Sequence, residues 1–574
     1  MTARKTARWL GTALAITMAM GAGILHAQPV PNLIYSTYLG GSQNDVGRAV
    51  AATPHGTYIA GTTRSLDFPT FRAGQPDPSH EPDPNRFLDG FVTHYGPTGL
   101  LSYSTYLGDG PGEAEIPQAI AVGPDGSAYV TGFVDIFFTG RFAFLARVAH
   151  LEITFLPLGL GDRAQGRDVA VDSGGNVYVT GQSQLEHPSF GLIPQAFVIK
   201  LGHDGSVLDF DFIGGLSGDQ RGNAIGLDAA GNAYVAGYTT SPDFPATRTI
   251  GAPTSLQRSN AFAVKLDPSG AIEHSVVFGG SDSDEVFELE ADDLGNVFAA
   301  GRTTSADFPL LDPVQGALQG PADLFLARFD PSGNLIASTY LGGNGSEEVL
   351  SLALDGSGRL YLAGTTTSTD SPLSVPGCAG RFLAELDPES FEVLLVTCMP
   401  GADVRDMAVD PAGSLHLTGV ALPGLPTVNA FQPQPAGGDD AFVAKLAFNR
   451  PPDCSAAFAS PGVIWPPNGR LVPVSIQGVI DPEGDPVTIT VTAIRQDEPL
   501  TRTGSPDAAG IGTAAPQLRA SRLGGGDGRV YHLTFEAQDG AGASCIGSVT
   551  VCVPHDQGRG RTCRDGGALF DAIR

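Results

Sequence analysis

The stretch from Leu324 to Gly364, LFLARFDPSGNLIASTYLGGNGSEEVLSLALDGSGRLYLAG, limits the possible folds most, because its parts recur along most of the chain. It holds four short alternating apolar runs, FLARF, LIASTYL, VLSLAL and LYLAG. They are separated by the Gly, Asp, Pro, Ser and Asn that tight turns require. One period is therefore expected to be a four-stranded antiparallel meander. The run ending in glycine recurs as TYIAG, AYVTG, VYVTG, AYVAG, VFAAG, LYLAG and LHLTG, which makes seven copies, and the FLARF-type and VLSLAL-type runs recur equally often. The closing glycines, Gly61, Gly132, Gly181, Gly237, Gly301, Gly364 and Gly419, lie 49 to 71 residues apart. Strand content is constant while one connection varies, as in repeated blades.

A lone four-stranded sheet cannot bury both faces, and radial packing of several sheets around a channel solves that problem. The expected fold is all-β: a seven-bladed β-propeller over residues 28–448, followed by a β-sandwich. The phase of the repeat supports closure. The chain enters the repeats at Leu33 with only a last strand and leaves them at Phe448 after only three strands. Pairing of Ile34–Leu39 with Phe442–Leu446 would complete the final sheet and remove its open edges. The VLSLAL-type run is then innermost and the STYLGG-type run outermost.

These residues resemble the seven-bladed β-propeller repeat family of exported bacterial proteins, whose pattern is D-x-x-G-N-x-Y-V-x-G-x-T-x-S-x-D-F-P. Asp293, Gly295, Asn296, Gly301, Thr303, Ser305, Asp307, Phe308 and Pro309 match it here. Asp67-Phe68-Pro69 and Asp243-Phe244-Pro245 repeat the final triplet, which the second, third and seventh units lack. The resemblance covers about 415 residues. It implies the fold and no shared catalytic residue.

Arg4, Lys5 and Arg8 precede an apolar run, Trp9 to Leu25, and His26-Ala27-Gln28 offers a small residue for cleavage. Residues 1–27 therefore read as a secretory signal peptide. The run is short for a membrane anchor and contains Thr12 and Thr17. The mature chain is expected to be secreted, extracellular or periplasmic, without a membrane span and monomeric. With 33 Lys and Arg against 61 Asp and Glu, the formal charge is -28. Such a surface disfavours nucleic acid and anionic membranes as partners.

Each loop entering an innermost strand carries an acid: Asp45, Glu113, Asp162, Asp219, Asp284, Glu347 and Asp403. Placed around one channel mouth, these carboxylates could share a hard cation such as calcium or a basic group. The simpler expectation is that each bonds amides of its own turn or of the neighbouring blade. The proline-rich connection from Arg64 to Asp89 is either a solvated loop or a binding insertion.

Residues 449–574 change character. A short linker, Asn449-Arg450-Pro451-Pro452, leads to alternating runs at 472–479, 487–494, 531–539 and 548–553, the pattern of an immunoglobulin-like sandwich with a disordered C-terminal tail. Its segments IWPPNGRLVPV, DPEGDPVTITV and CVPHDQG resemble a module appended to many secreted bacterial proteins. Asp481, Glu483 and Asp485 form a turn that either binds calcium or serves only as a turn. Six cysteines in an exported chain point to disulfides. Cys378 and Cys398 flank a hairpin and should pair, closing a loop worth roughly 3 kcal/mol. The other four allow three connectivities. Cys454–Cys545 and Cys552–Cys563 are chosen, the first tying the first strand to the last hairpin and the second being close in sequence.

No G-x-S-x-G, Walker loop, H-E-x-x-H or strand-linked G-x-G-x-x-G occurs in the mature chain. His94 and His416 fall within strands, where packing is their expected role, and His555 beside Asp556 reads as part of a turn. Nothing in the sequence assembles a nucleophile with a base. The favoured reading is a secreted, non-catalytic binding or scaffold protein for a protein or glycan ligand, without cofactor. The rival is an extracellular lyase or glycan-active hydrolase using the channel-mouth acids.

Overall fold

The computed structural model describes residues 30–75, 88–108, 113–136, 140–149, 152–161, 163–187, 191–252, 258–482, 484–500, 505–524, 527–540, 542–555 and 563–573. The fold is all-β, with no helix among these residues. The signal-like segment 1–27, Asp162, Glu483 and Asp556 lie outside them. The chain separates into two compact units, one of Pro31–Phe448 and the other of Asn449–Arg574 together with Val30 among the described N-terminal residues.

Among the described residues the first unit holds seven sheets. Sheet one pairs Asp45–Thr53, Gly56–Thr63, Asp89–Tyr95 and Leu101–Leu107 in that order, antiparallel throughout. The same order holds in sheet two (Glu113–Val122, Ala128–Ile136, Gly140–Ala149, Glu152–Pro157) and sheet three (Gln165–Val171, Val177–His187, Gly191–Leu201, Val207–Ile213). Sheet four (Gln220–Leu227, Ala233–Thr239, Asn260–Leu266, Ile272–Gly279) gains a short parallel fifth strand, Arg248–Gly251. Sheet five contains Asp284–Ala291, Val297–Thr303, Asp323–Phe329 and Leu335–Leu341, and sheet six contains Glu347–Leu354, Leu360–Thr366, Arg381–Leu386 and Val393–Thr397. Sheet seven contains Ala402–Val409, Leu415–Ala421 and Asp440–Asn449, and its fourth strand is Val30–Leu39 from the other end of the chain. The first strand of each sheet contacts the first strand of the next, and that of sheet seven contacts that of sheet one. Apolar side chains fill the spaces between sheets: Val92 and Phe144 share one cluster, and Tyr35, Phe91 and Val443 share another.

One irregularity recurs in every first strand. The ladder to the second strand skips a residue, a β-bulge, at Arg48, Gln118, Arg167, Asn223, Phe287, Leu350 and Arg405. The bulge turns a backbone carbonyl toward the second strand. A Cβ at Gly61, Gly132, Gly181, Gly237, Gly301, Gly364 or Gly419 would overlap that oxygen, and at Gly301 it would also strike the Phe325 ring. The closing glycine of the repeat is thus required by the bulge. Gly301→Ala is expected to cost about 1–3 kcal/mol through overpacking, measured as a lower midpoint in denaturant.

The rest of the repeat signature fastens sheet five internally and to the loop from sheet four. Asp292 Oδ1 accepts the amides of Leu294 and Asn296 at 3.0 and 2.8 Å, so Asp292, and not the Asp293 aligned from sequence, is the turn-forming acid. Thr303 Oγ1 and Ser305 Oγ donate to Asp284 at 2.5 and 3.0 Å. Asp307 Oδ1 accepts the amide and hydroxyl of Ser281 at 2.8 and 3.0 Å, which staples sheet five to the loop leaving sheet four. Phe308 inserts against Phe325, ring centroids 4.6 Å apart, and its amide donates to the Tyr340 hydroxyl.

The second unit contains a four-stranded sheet ordered Ser544–Val553, Arg529–Gln538, Thr488–Gln496 and Phe570–Asp571, together with two smaller sheets. They enclose one apolar core that includes Val491, Leu533, Phe535 and Val551. Arg529 is fully buried, with its guanidinium 2.6 Å from Asp507 Oδ2 and 3.2 Å from Glu498 Oε2. Three disulfides join Cys378–Cys398, Cys454–Cys545 and Cys552–Cys563, the pairs expected from sequence. The tail differs from expectation in its last part. Phe570 and Asp571 pair with Gln496 and Arg495, because the Cys552–Cys563 bond tethers this stretch beside the sheet.

Candidate functional site

The hydrogen-bond register revises the ring of acids. Counting back from the bulge, the position of Asp45 is taken by Glu115 in sheet two, Ala164 in sheet three, Gln220 in sheet four, Asp284, Glu347 and Ala402. All seven are buried, so this position is not an open channel mouth. Of the expected set, only Asp45, Asp284 and Glu347 occupy it. Asp45 Oδ2 accepts the Gly41 amide at 2.7 Å and the Ser65 hydroxyl at 2.9 Å. Glu347 Oε1 accepts Thr366 and Ser368 hydroxyls at 2.7 and 2.5 Å. Burial raises Asp45 and Asp284 to about 6 despite these bonds. Asp219 is held instead by Gln182 Nε2 at 2.6 Å and the Tyr238 hydroxyl at 3.1 Å. Asp403 bridges Arg381 and Arg405, both at 2.9 Å. Glu113 borders an apolar cavity of sheet two. In the second unit, Asp481 Oδ1 accepts the Asp485 amide at 2.9 Å. No group of three His, Cys, Asp or Glu with metal-holding geometry occurs among the described residues.

The chemistry that stands out lies deeper. The residue following each bulge is Ala49, Ala119, Asp168, Ala224, Glu288, Ser351 or Asp406. Three of these are acids, and Glu290 adds a fourth. Burial pushes Asp168 up to about 7, Asp406 to about 6 and Glu290 to about 8, and it raises Glu288 well above the usual range. The charges of Asp168 and Asp406 add to the rise in both glutamates. Sheets three, five and seven are not neighbours, so acids from all three that sense one another must face a common axial space. Asp168 Oδ2 accepts the Ile225 amide at 2.7 Å, and Asp406 Oδ2 accepts the Val50 amide at 2.7 Å. Among the described residues none of the four acids forms an ion pair. Arginines stand at the adjoining bulges: burial and Arg221 lower Arg167 to about 10, and burial and Arg405 lower Arg48. Repeat-level reading missed these acids because the same position is alanine in three other sheets.

The sign of their pH effect follows from linkage. Acids whose folded pKa exceeds the unfolded value bind protons more tightly when folded, so stability falls as pH rises from about 4 to about 8. Because the Glu290 residue is only partly buried, Glu290→Gln is expected to add only about 1–2 kcal/mol at pH 8 and almost nothing at pH 4. Calorimetric melts of both proteins across that range measure the effect.

His416 contradicts the sequence reading that no nucleophile meets a base. Its Nδ1 lies 2.5 Å from Thr57 Oγ1 and its Nε2 lies 3.2 Å from Asp410 Oδ2, while Lys445 Nζ stands 2.7 Å from the same carboxylate oxygen. The Tyr35 hydroxyl bonds Thr57 Oγ1. Burial lowers the proton affinity of the imidazole, in keeping with a ring that makes one donated and one accepted bond. Thr57 and His416 are fully buried, so no substrate reaches the hydroxyl. The chain of bonds instead crosses the seam between sheet one, sheet seven and the N-terminal strand. Thr57 and His416 are 359 residues apart in sequence, which hid the pairing. His94 stacks on Tyr58 with centroids 4.1 Å apart, a packing role.

The profile described as Beta-propeller repeat matches residues 213–245, which run from the last strand of sheet three through the Asp243-Phe244-Pro245 triplet. Comparison with the curated proteins gives no match. Among solved structures, the chain is similar to U3-55K at 10% identity, covering 72% of this chain and 99% of that one with a TM-score of 0.42. The WD40 beta propeller domain of Doa1 is 12% identical, with coverages of 73% and 97% and a TM-score of 0.38. Puromycin hydrolase is 15% identical, with coverages of 66% and 50% and a TM-score of 0.38.

Proposed function

We propose that this chain is a secreted, non-catalytic binding or scaffold protein, a closed seven-bladed β-propeller followed by an immunoglobulin-like β-sandwich, acting as a monomer on a protein or glycan ligand. The carrying observation is where the repeat signature goes: Asp284, Thr303, Ser305, Asp307 and Phe308 are all committed to the frame, holding sheet five together and tying it to the loop that arrives from sheet four. Residues that recur in the repeat are thereby spent on the frame, and variation is left to the axial positions. Cyclic contact of the first strands supports closure, and three disulfides support an oxidising compartment.

One observation favours the rival reading. Asp168 at about 7 and Glu290 at about 8 have the proton affinity that a general acid needs at neutral pH. A glycan-active enzyme using the axial acids, rather than the expected loop acids, is the second reading. Glycan and protein arrays followed by product analysis on every hit separate the two. Binding without turnover agrees with the first reading. Turnover that Glu290→Gln or Asp406→Asn abolishes replaces it with the second.

A further inference from the structure

The fourth strand of each sheet has a free edge, and among the described residues four of the seven sheets cover that edge with their own chain. In sheet one Phe71, from the connection between the second and third strands, exchanges backbone hydrogen bonds of 2.9 and 2.8 Å with Ser104. Leu311 covers Ser338 in sheet five and Val428 covers Ser36 in sheet seven in the same way, and in sheet four the parallel strand Arg248–Gly251 lies there. Two more edges are blunted by other means. Sheet two places Pro157, which has no amide hydrogen, where sheet one has Tyr106, whose amide donates outward to the Gln75 carbonyl at 3.3 Å. In sheet six the disulfide Cys378–Cys398 pins the connection to the end of the fourth strand. Sheet three has none of these devices. Only three residues join its second strand, ending at His187, to its third, beginning at Gly191, too few to reach the fourth strand Val207–Ile213. The shared register puts Phe210 at the place of Ser104 and Phe212 at the place of Tyr106, so both amides point outward, and among the described residues no backbone group meets them. Val207 and Leu208 are 61% and 54% exposed. Phe210 and Phe212 pack toward sheet two, while Asp209 and Asp211 stand on the opposite face, with no hydrogen bond or ion pair among the described residues. Lys200, across the ladder from Asp209, gives its ammonium to the Pro268 carbonyl at 2.7 Å.

We propose that this edge is a docking site for an extended segment of a partner protein in which basic and apolar residues alternate. The four covered edges show the mode, an added stretch of chain held by backbone hydrogen bonds. Charge complementarity defines its sequence: residues beside Asp209 and Asp211 carry the opposite charge, and those on the other face lie beside Phe210 and Phe212. A second copy of this chain is disfavoured, since antiparallel pairing of the strand with itself about Phe210 sets Asp209 against Asp211. The site extends the binding reading to a further surface and does not involve the axial acids.

Fluorescence anisotropy of a labelled short peptide of alternating lysine and valine, titrated with the full chain, tests the site. Saturable one-to-one binding is expected, and the same peptide N-methylated along its backbone, which keeps every charge and side chain, should not bind. Phe212→Pro, which copies the residue that sheet two carries at this place, should abolish binding while the melting transition stays cooperative, and Phe212→Leu, which keeps the amide, should retain it. Asp211→Asn should weaken binding about fivefold, the upper end for one cross-strand charge pair. Absence of saturable binding to the native chain, equal binding of the N-methylated peptide, or binding that Phe212→Pro retains overturns the site. Equal loss in Phe212→Leu and Phe212→Pro overturns the hydrogen-bonded mode, and unchanged binding to Asp211→Asn overturns the charge preference. A dimer of the native chain that Phe212→Pro dissolves makes a second copy the occupant and overturns the partner. The arrays test the binding reading as a whole and Phe212→Pro tests this edge alone, so the two can fail separately.

Discussion

Deleting residues 28–41 is expected to destabilise the first unit by on the order of 6 kcal/mol, at about 2 kcal/mol for each of the buried side chains Tyr35, Tyr38 and Leu39. The removed strand is the fourth of sheet seven, so Asp440–Asn449 becomes an open edge with unpaired amides and carbonyls. The hydrogen-bond chain through Thr57 and His416 also loses its Tyr35 end. Calorimetry should show a much lower melting temperature, and size-exclusion chromatography should show association. A truncated protein that stays monomeric and melts like the intact one would contradict closure by this strand.

Arg529→Met is expected to cost the second unit about 3 kcal/mol. Removing one partner of a buried ion pair leaves charge without compensation, a loss typically of 3–5 kcal/mol. The lower end applies because Arg519 Nε remains 3.4 Å from Asp507 Oδ1. Adding Asp507→Asn to Arg529→Met should then recover a good part of the loss, since the stranded charge goes with it. Urea unfolding of the three proteins provides the test. A double variant no more stable than Arg529→Met would show that packing of the arginine stem, not charge, sets the cost.

Much of the frame was legible in the sequence because it repeats. Alternating runs located the strands, and the incomplete units at the two ends placed Ile34–Leu39 beside Phe442–Leu446, within the longer strands Val30–Leu39 and Asp440–Asn449 that the structure pairs. Hairpin geometry paired Cys378 with Cys398. The site was less legible for the same physical reason. A repeat makes visible what all copies share, and the axial acids Asp168, Glu288 and Asp406 occupy a position filled elsewhere by Ala49, Ala119, Ala224 and Ser351. The loop acids looked equivalent because each lay near the start of a first strand. The bulge fixes the register, however, and it sets Asp219 and Asp403 one residue away from the position of Asp45. The Thr57–His416–Asp410 chain joins segments that only the circular arrangement brings together.

The skipped residue in each first strand has an evolutionary consequence. It takes no part in the ladder, and its occupants already include arginine, glutamine, asparagine, phenylalanine and leucine. A change there leaves the strand pairing intact, whereas a change at the glycine opposite the bulge does not. Selection can therefore vary the side chain at seven such places one at a time without breaking the ladder. A lineage carrying this architecture is free to diversify these side chains by single substitutions, while the repeat that makes it recognisable stays the same.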